Sequence, residues 1–236
     1  MPQETAQDYA WIKFEPKQLS DKIVPEGDLV EKLIKVCGKL SDYDLLSSYP
    51  EGAVYKGKPV KGSNGNISCR YPAHGPDSVL TTQTQLLSKK NLEPKDLVVV
   101  EGWNLDTGEV FYHGPKAPTS EFWLHEGLYA ELDDITWVLH FHAPTKELYS
   151  PCPRRLWKEL NILETKYYAE DGTLDVPKSV LDVLDFPFDD YVIMYAHGTP
   201  WDPEHTGAVV VDNNPDRAVE RIINIHERLK EALKSR

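Results

Sequence analysis

The sequence predicts a single α/β domain in which a mainly antiparallel sheet is covered by helices on both faces. Three observations lead to that class. The 236 residues fit one large domain, and no linker-like stretch divides them. Helical and strand-like segments are interspersed along the chain, without internal repeats or low-complexity runs. Forty per cent of the residues are apolar, enough to bury a sizeable core.

Residues 1–25 are polar and irregular and read as an arm lying on the surface or on a neighbouring subunit, with residues 26–236 as the domain proper. From Asp28 the run LVEKLIKVCGKL places Leu29, Leu33, Val36 and Leu40 at helical spacing, an amphipathic helix. Short β-like pieces follow at 53–55, at 66–70 after the tight SNGN segment, and at 78–81. The run LVVVEGW at 97–103 is almost wholly apolar, as in a strand buried on both faces. At Pro118-Thr119-Ser120-Glu121 a hydroxyl N-cap precedes an acidic first-turn residue, and Phe122, Leu124, Leu128 and Leu132 follow as a helix. Asp133-Asp134 marks a turn before the β-rich ITWVLHFH at 135–142. Residues 154–170 read as a helix, and 191–196 and 208–211 as strands. The C-terminal segment is a strong helix: Asn214 can cap it, Pro215 suits its first position, and its last turns are basic.

Charge and cysteine usage narrow the function. The formal net charge is −12 and the pI about 5.1, with no basic stripe, so nucleic acid is not an expected partner. A phosphate on a small substrate stays compatible, since it needs only a local cluster of donors. The N-terminus lacks a positive segment followed by an apolar one, and no apolar run approaches the roughly 20 residues of a membrane span. Cys37, Cys69 and Cys152 are odd in number and widely spaced, fitting reduced thiols and a cytoplasmic location.

The chain has eight histidines. His140 and His142, two apart on a strand, point to one face with backbones about 6.5–7 Å apart. Two imidazoles so placed can converge on one ion at about 2.0–2.1 Å. The pair alone equally describes two residues on an exposed strand face. His197 ends the apolar run YVIMYA before Gly198, where site residues often follow a buried strand, although a turn-capping histidine fits there too. Glu121 opens the helix that leads into the His140–His142 strand, and a helix start favours the carboxylate form. By itself it also reads as an ordinary first-turn acid.

Together, GNISCR at 65–70, DLVVVEG at 96–102, PTSEFWLHEGLYAELDDITWVLHFHAP at 118–144 and Tyr195-Ala-His-Gly198 resemble the class II aldolase/adducin family, in particular its fuculose-phosphate aldolase-like members. The resemblance covers about residues 29–200. It implies a three-layer α/β/α domain, with His140, His142 and His197 as the metal ligands. Zinc is the usual ion; iron, manganese or cobalt could take its place. It makes Glu121 the acid/base carboxylate. It places Gly65, Asn66, Thr119 and Ser120 around a substrate phosphate or polar head. It also implies a tyrosine supplied from an adjacent subunit, for which Tyr168, beside Tyr167, is the best match.

The implied activity is that of a metal-dependent lyase on a small hydroxy-carbonyl, sugar-like substrate. Three neutral imidazoles leave the ion its full charge and an open position. A carbonyl and an adjacent hydroxyl can chelate there, the ion stabilising an enediolate while Glu121 moves the proton. Epimerisation, dehydration or Fe(II)-dependent oxygenation would use the same site. A non-catalytic adducin-like module would have no need to keep all four residues. A homotetramer is also implied.

Two segments depart from the family pattern. Where relatives acting on sugar phosphates carry an ITPSG-like stretch, this chain has Leu80-Thr81-Thr82-Gln83-Thr84, without the glycine that lets backbone approach a phosphate. Gln83 would instead hydrogen-bond a neutral or carboxylate group. The inserted TPWDPEHTG at 199–207 reads as a surface loop, the alternative being a cover over the metal pocket that reshapes substrate choice. His125, one turn after Glu121, is expected to hydrogen-bond to it. His74, His113 and His226 are read as structural.

Overall fold

The computed structural model describes residues 12–55, 57–149, 153–199 and 202–235, so the expectations for residues 1–11, Cys152 and Trp201 lie outside the described residues. In chain order the elements are β1 (Glu15–Ser20), α1 (Asp28–Asp42), β2 (Val54–Tyr55), β3 (Lys58–Pro59), β4 (Asn66–Arg70), β5 (Val79–Thr82), β6 (Leu97–Asn104), β7 (Glu109–His113) and α2 (Phe122–Glu131). They continue with β8 (Trp137–Pro144), α3 (Thr145–Tyr149), α4 (Pro153–Glu159), β9 (Ile162–Glu164), α5 (Asp175–Leu181), β10 (Tyr191–Ile193), β11 (His205–Asp212) and α6 (Pro215–Lys234). β2 and β3 form a small hairpin of their own.

Among the described residues the main sheet has nine strands in the order β1-β7-β6-β5-β4-β8-β11-β10-β9. It is mixed: antiparallel through its centre, but with β1 parallel to β7 at one edge and β9 parallel to β10 at the other. Residues 15–20, read as irregular from their polarity, thus form an edge strand. An edge strand packs one side only, and its burial pattern is correspondingly ragged.

Side-chain alternation splits the core into two layers. Leu97 and Val99 of β6 and Trp137, Leu139, Phe141 and Ala143 of β8 pack with α1 and α6. Val98 and Val100 of β6 and Val138 of β8 pack with α2 and α5 on the other face. By the same parity, His140 and His142 fall on the α2/α5 face. α6 begins as expected: the Asn214 side chain accepts from the Asp216 and Arg217 N–H groups, and Pro215 occupies the first turn.

Two expected boundaries are wrong. The segment 154–170 is not one helix: α4 stops before Asn161, which adopts φ 51°, and the chain returns as β9. Asparagine tolerates the left-handed region that such a reversal requires. The strand expected at 191–196 ends at Ile193, because Ala196 at φ 55° turns the chain.

Candidate metal centre and its cleft

The His140 and His142 rings lie side by side on β8, their centroids 5.2 Å apart. His197 reaches them from the turn after β10, with ring centroids 5.0 Å from His140 and 5.7 Å from His142. All three are buried, and one nitrogen from each lies within 4.8 Å of the others. Space for the His197 ring depends on Gly207 of β11, which pairs with His142. A Cβ at Gly207 would run into the His197 ring and stand 3.1 Å from His140 Cε1.

The His140 Nδ1–H donates to the Ala208 carbonyl at 3.0 Å, which orients the ring and turns Nε2 toward the site as the atom that would ligate an ion. His140 Nε2 and His142 Nδ1 are buried, and apart from the Glu121 carboxylate facing His140 Nε2 neither has a hydrogen-bond partner. Unsatisfied buried nitrogens are costly, and a cation among them would satisfy both. The donor set therefore fits a divalent ion. Burial first, then the neighbouring histidines, push the His142 imidazole well below its ordinary range, so it stays neutral, the form in which an imidazole can bind a metal.

Glu121 sits opposite. Its Oε2 lies 3.0 Å from His140 Nε2 and its Oε1 3.0 Å from His197 Nε2. Burial raises its pKa, but His140 and His197 outweigh burial and hold it well below the usual carboxylate range. The helix start contributes differently from the sequence expectation: Glu121 is itself the N-cap of α2 and makes no side-chain cap, because its carboxylate is turned to the histidines. On His197, burial lowers basicity, yet Glu121 and Asp171 raise the imidazole to about 10, with Asp171 Oδ1 2.9 Å from its Nδ1.

The expected His125–Glu121 hydrogen bond is replaced by an indirect link. Asn66 Nδ2 donates to Glu121 Oε2 at 2.7 Å, and Asn66 Oδ1 accepts from His125 Nε2 at 2.5 Å. His125 Nδ1 must then accept, from Ser68 Oγ at 2.7 Å, and Ser68 in turn lies 2.9 Å from the Tyr129 hydroxyl. Every donor in this buried chain can point toward the carboxylate, which orients Glu121. Burial is the main cause holding His125 down to about 3. The unfolded chain takes up a proton there below about pH 6.5, whereas the folded one does not until about 3, so this contribution to stability falls as pH drops through that window. The urea midpoint is expected to fall between pH 7 and pH 4.5, and to fall less in His125→Gln; equal losses would mean that His125 contributes nothing to acid sensitivity.

Gly65 joins the loop before β4 to the site. It has φ +67°, and a Cβ there would meet the His140 carbonyl oxygen at 2.6 Å and Phe141 Cα at 2.8 Å. Gly65→Ala is therefore expected to destabilise the protein by about 3 kcal/mol or more. A denaturation midpoint unchanged from wild type would refute this tight contact.

A cleft opens from the histidines. Gly65, Asn66, Gln83, Thr119, Ser120, Glu121, His142 and His197 line it, so the structure brings these sequence candidates together. The buried His140 lies behind them. Gln83 is held by its backbone, which donates to the Asp96 carbonyl and bridges to Pro118. Tyr168 is 52% exposed and is not part of the lining of its own chain's cleft. Of the described residues in the segment 199–207, Thr199 lines the cleft, and Asp202 accepts from Asn64 Nδ2 at 2.9 Å and pairs with His205 at 2.8 Å. Tyr49, Lys89 and Asp171 also line the cleft and were not anticipated. Lys89 sits in a SKKN run that reads as surface, and Asp171 in an ordinary turn. His113 pairs with Glu101, His74 stacks on Tyr71, and His226 bridges Tyr191 and Glu147.

The sequence model of the family described as Class II Aldolase and Adducin N-terminal domain matches residues 53–233. This chain belongs to the class II aldolase and adducin family. A curated relative, the 5-methylthioribulose-1-phosphate/5-deoxyribulose-1-phosphate aldolase of Rhodospirillum rubrum, is 36% identical over 84 residues, which is 36% of this chain and 33% of that protein. The match thus spans about a third of the relative's length. Among solved structures, an L-fuculose 1-phosphate aldolase superposes with a TM-score of 0.58 at 19% identity, covering 89% of each chain. A sugar-phosphate aldolase from Thermotoga maritima gives 0.62 at 16% identity, covering 87% of this chain and 94% of the other. At these identities the likeness to class II aldolase structures is one of fold.

Proposed function

We propose that this class II aldolase family member is a metal-dependent lyase that makes or breaks a C–C bond beside a carbonyl on a small hydroxylated substrate. The observation that carries the reading is the convergence of His140, His142 and His197 on Glu121 in one cleft. The three imidazoles would hold the ion, with zinc the first choice and iron, manganese or cobalt able to replace it. When bound, the ion supplies a Lewis acid that polarises a carbonyl and its neighbouring hydroxyl.

The chain's own groups would do the rest. Glu121, kept ionised by its histidines and aimed by Asn66, takes a proton from the substrate and returns it. Gly65, Asn66, Thr119 and Ser120 bind the polar end, with Gln83 supplying a hydrogen bond at the cleft wall. The exposure of Tyr168 suits a proton donor acting in a neighbouring subunit's cleft, which requires a homo-oligomer such as a tetramer. No helix among the described residues is long and apolar enough to cross a membrane.

The test is aldehyde release from ketoses and their 1-phosphates by metal-loaded protein, beginning with 5-methylthioribulose 1-phosphate and 5-deoxyribulose 1-phosphate. Cleavage of at least one, with a solvent deuterium incorporated at the α-carbon of the released ketone product in D2O, is expected. No release across the panel would sink the lyase reading.

A further inference from the structure

His197 differs from the other two histidines of the centre in how it is held. His140 and His142 stand on β8, where pairing with β4 and β11 fixes their places. His197 stands on a turn, beyond the end of β10 and next to Ala196 at φ 55°. Its N–H donates to the Met194 carbonyl and its carbonyl accepts from the Gly207 N–H, but neither bond sets the direction of the ring. Gly207 gives the ring room without gripping it. A ligand on a turn needs an anchor of its own if it is to meet an ion in one geometry.

Asp171 supplies that anchor. Its Oδ1 lies 2.9 Å from His197 Nδ1. Both atoms are buried, and apart from each other neither has a hydrogen-bond partner. The opposite ring nitrogen, Nε2, faces Glu121 Oε1, and His140 Nε2 faces the other oxygen of the same carboxylate. The two Nε2 atoms thus border one space, the place for an ion, and His197 Nδ1 points away from it to Asp171. A carboxylate behind a ligand histidine orients the ring and makes the far nitrogen a stronger donor. Behind His140 the corresponding group is only a neutral carbonyl, that of Ala208. Asp171 comes from a turn closed by the Thr173 N–H and hydroxyl on the Glu170 carbonyl, with Gly172 at φ 72°. The adjacent acid, Glu170, pairs instead with Lys13 at 2.8 Å.

We propose that Asp171 is a positioning residue of the metal centre, holding the His197 ring toward the ion and strengthening Nε2 as a ligand. It acts through His197 and touches no reacting atom. The inference rests on the reading of His140, His142 and His197 as the ligands. The Asp171 side chain is half exposed, whereas the ring it holds is buried. The grip of a buried centre on its ion is therefore set in part from an exposed turn.

The experiment measures zinc affinity by competition with a chelator, and the visible spectrum of the cobalt-loaded protein, in the full chain and three variants. Asp171→Ala should bind zinc about 10- to 100-fold more weakly, the range for loss of a group behind a ligand. Its cobalt spectrum should change as well, because the ring is no longer held. Asp171→Asn keeps an oxygen that can accept from Nδ1, so it should keep the spectrum and lose less affinity. Glu170→Gln removes the same charge from the same turn and should bind zinc as tightly as wild type. Wild-type affinity in Asp171→Ala, or an equal loss in Glu170→Gln, overturns the proposal. One measurement needs no variant to fold: 15N-histidine NMR of the zinc-loaded wild-type protein should show His197 bound through Nε2 with a proton on Nδ1. Binding through Nδ1 overturns the proposal too. None of these readouts involves turnover, so the lyase reading can fail while this one holds. Wild-type protein that binds no zinc would remove the ligand assignment and this proposal with it.

Discussion

Replacing His140 with alanine is expected to empty the metal centre while leaving the fold in place. Wild-type protein purified without chelators should carry close to one transition-metal ion per chain, and the variant below roughly a tenth of that, since even changes behind a ligand cost 10- to 100-fold in affinity. The reason is geometric. His140 is the central member of the trio, its ring facing both partners, with its orientation set by the Ala208 carbonyl. His142 and His197 alone leave an ion two protein nitrogens, fewer than zinc sites of either kind employ. The sheet pairings of β8 to β4 and β11 run through the backbone and survive the change. Elemental analysis and far-UV circular dichroism check the two halves separately. An unchanged metal content would mean the ligands are misassigned, and wild-type protein that takes up no ion would remove the enzyme reading.

Glu121→Gln should have the opposite profile: metal retained, turnover lost by about 10²- to 10⁴-fold. Glutamine keeps the size and the Asn66 neighbour but cannot take a proton. The carboxylate is also the negative partner of His140 and His197, so the apo protein should lose part of the raised basicity of His197, the rest being kept by Asp171. Metal occupancy and kcat measured on the same sample decide the matter. Full activity at full occupancy would move the proton transfer to another group.

Sequence reasoning reached those two positions because strand parity and helix starts are local properties. His140 and His142 had to share a face once β8 was recognised, and Glu121 had to stand at the entrance of α2. What it could not reach is set by distant packing. The link from Glu121 to His125 passes through Asn66, from another strand, and no spacing along α2 contains it. Lys89 and Asp171 enter the cleft from segments whose composition is that of ordinary surface turns. β1 and β9 escaped for a related reason: edge strands bury little, so their hydrophobic alternation is weak, and the parallel partners that order them lie far away in sequence. Asn161 ended α4 early through a backbone conformation rather than through a change of pattern.

The close fit of Gly65 against β8 bears on how a ligand would be met. With the Gly65 Cβ position already within 2.6 Å of the His140 carbonyl oxygen, the loop before β4 has no room to slide toward the sheet. That wall behaves as a rigid template whose ordering entropy is lost once, on folding, and not again at each encounter. A ligand that matched its contour would bind without the cost of freezing this loop.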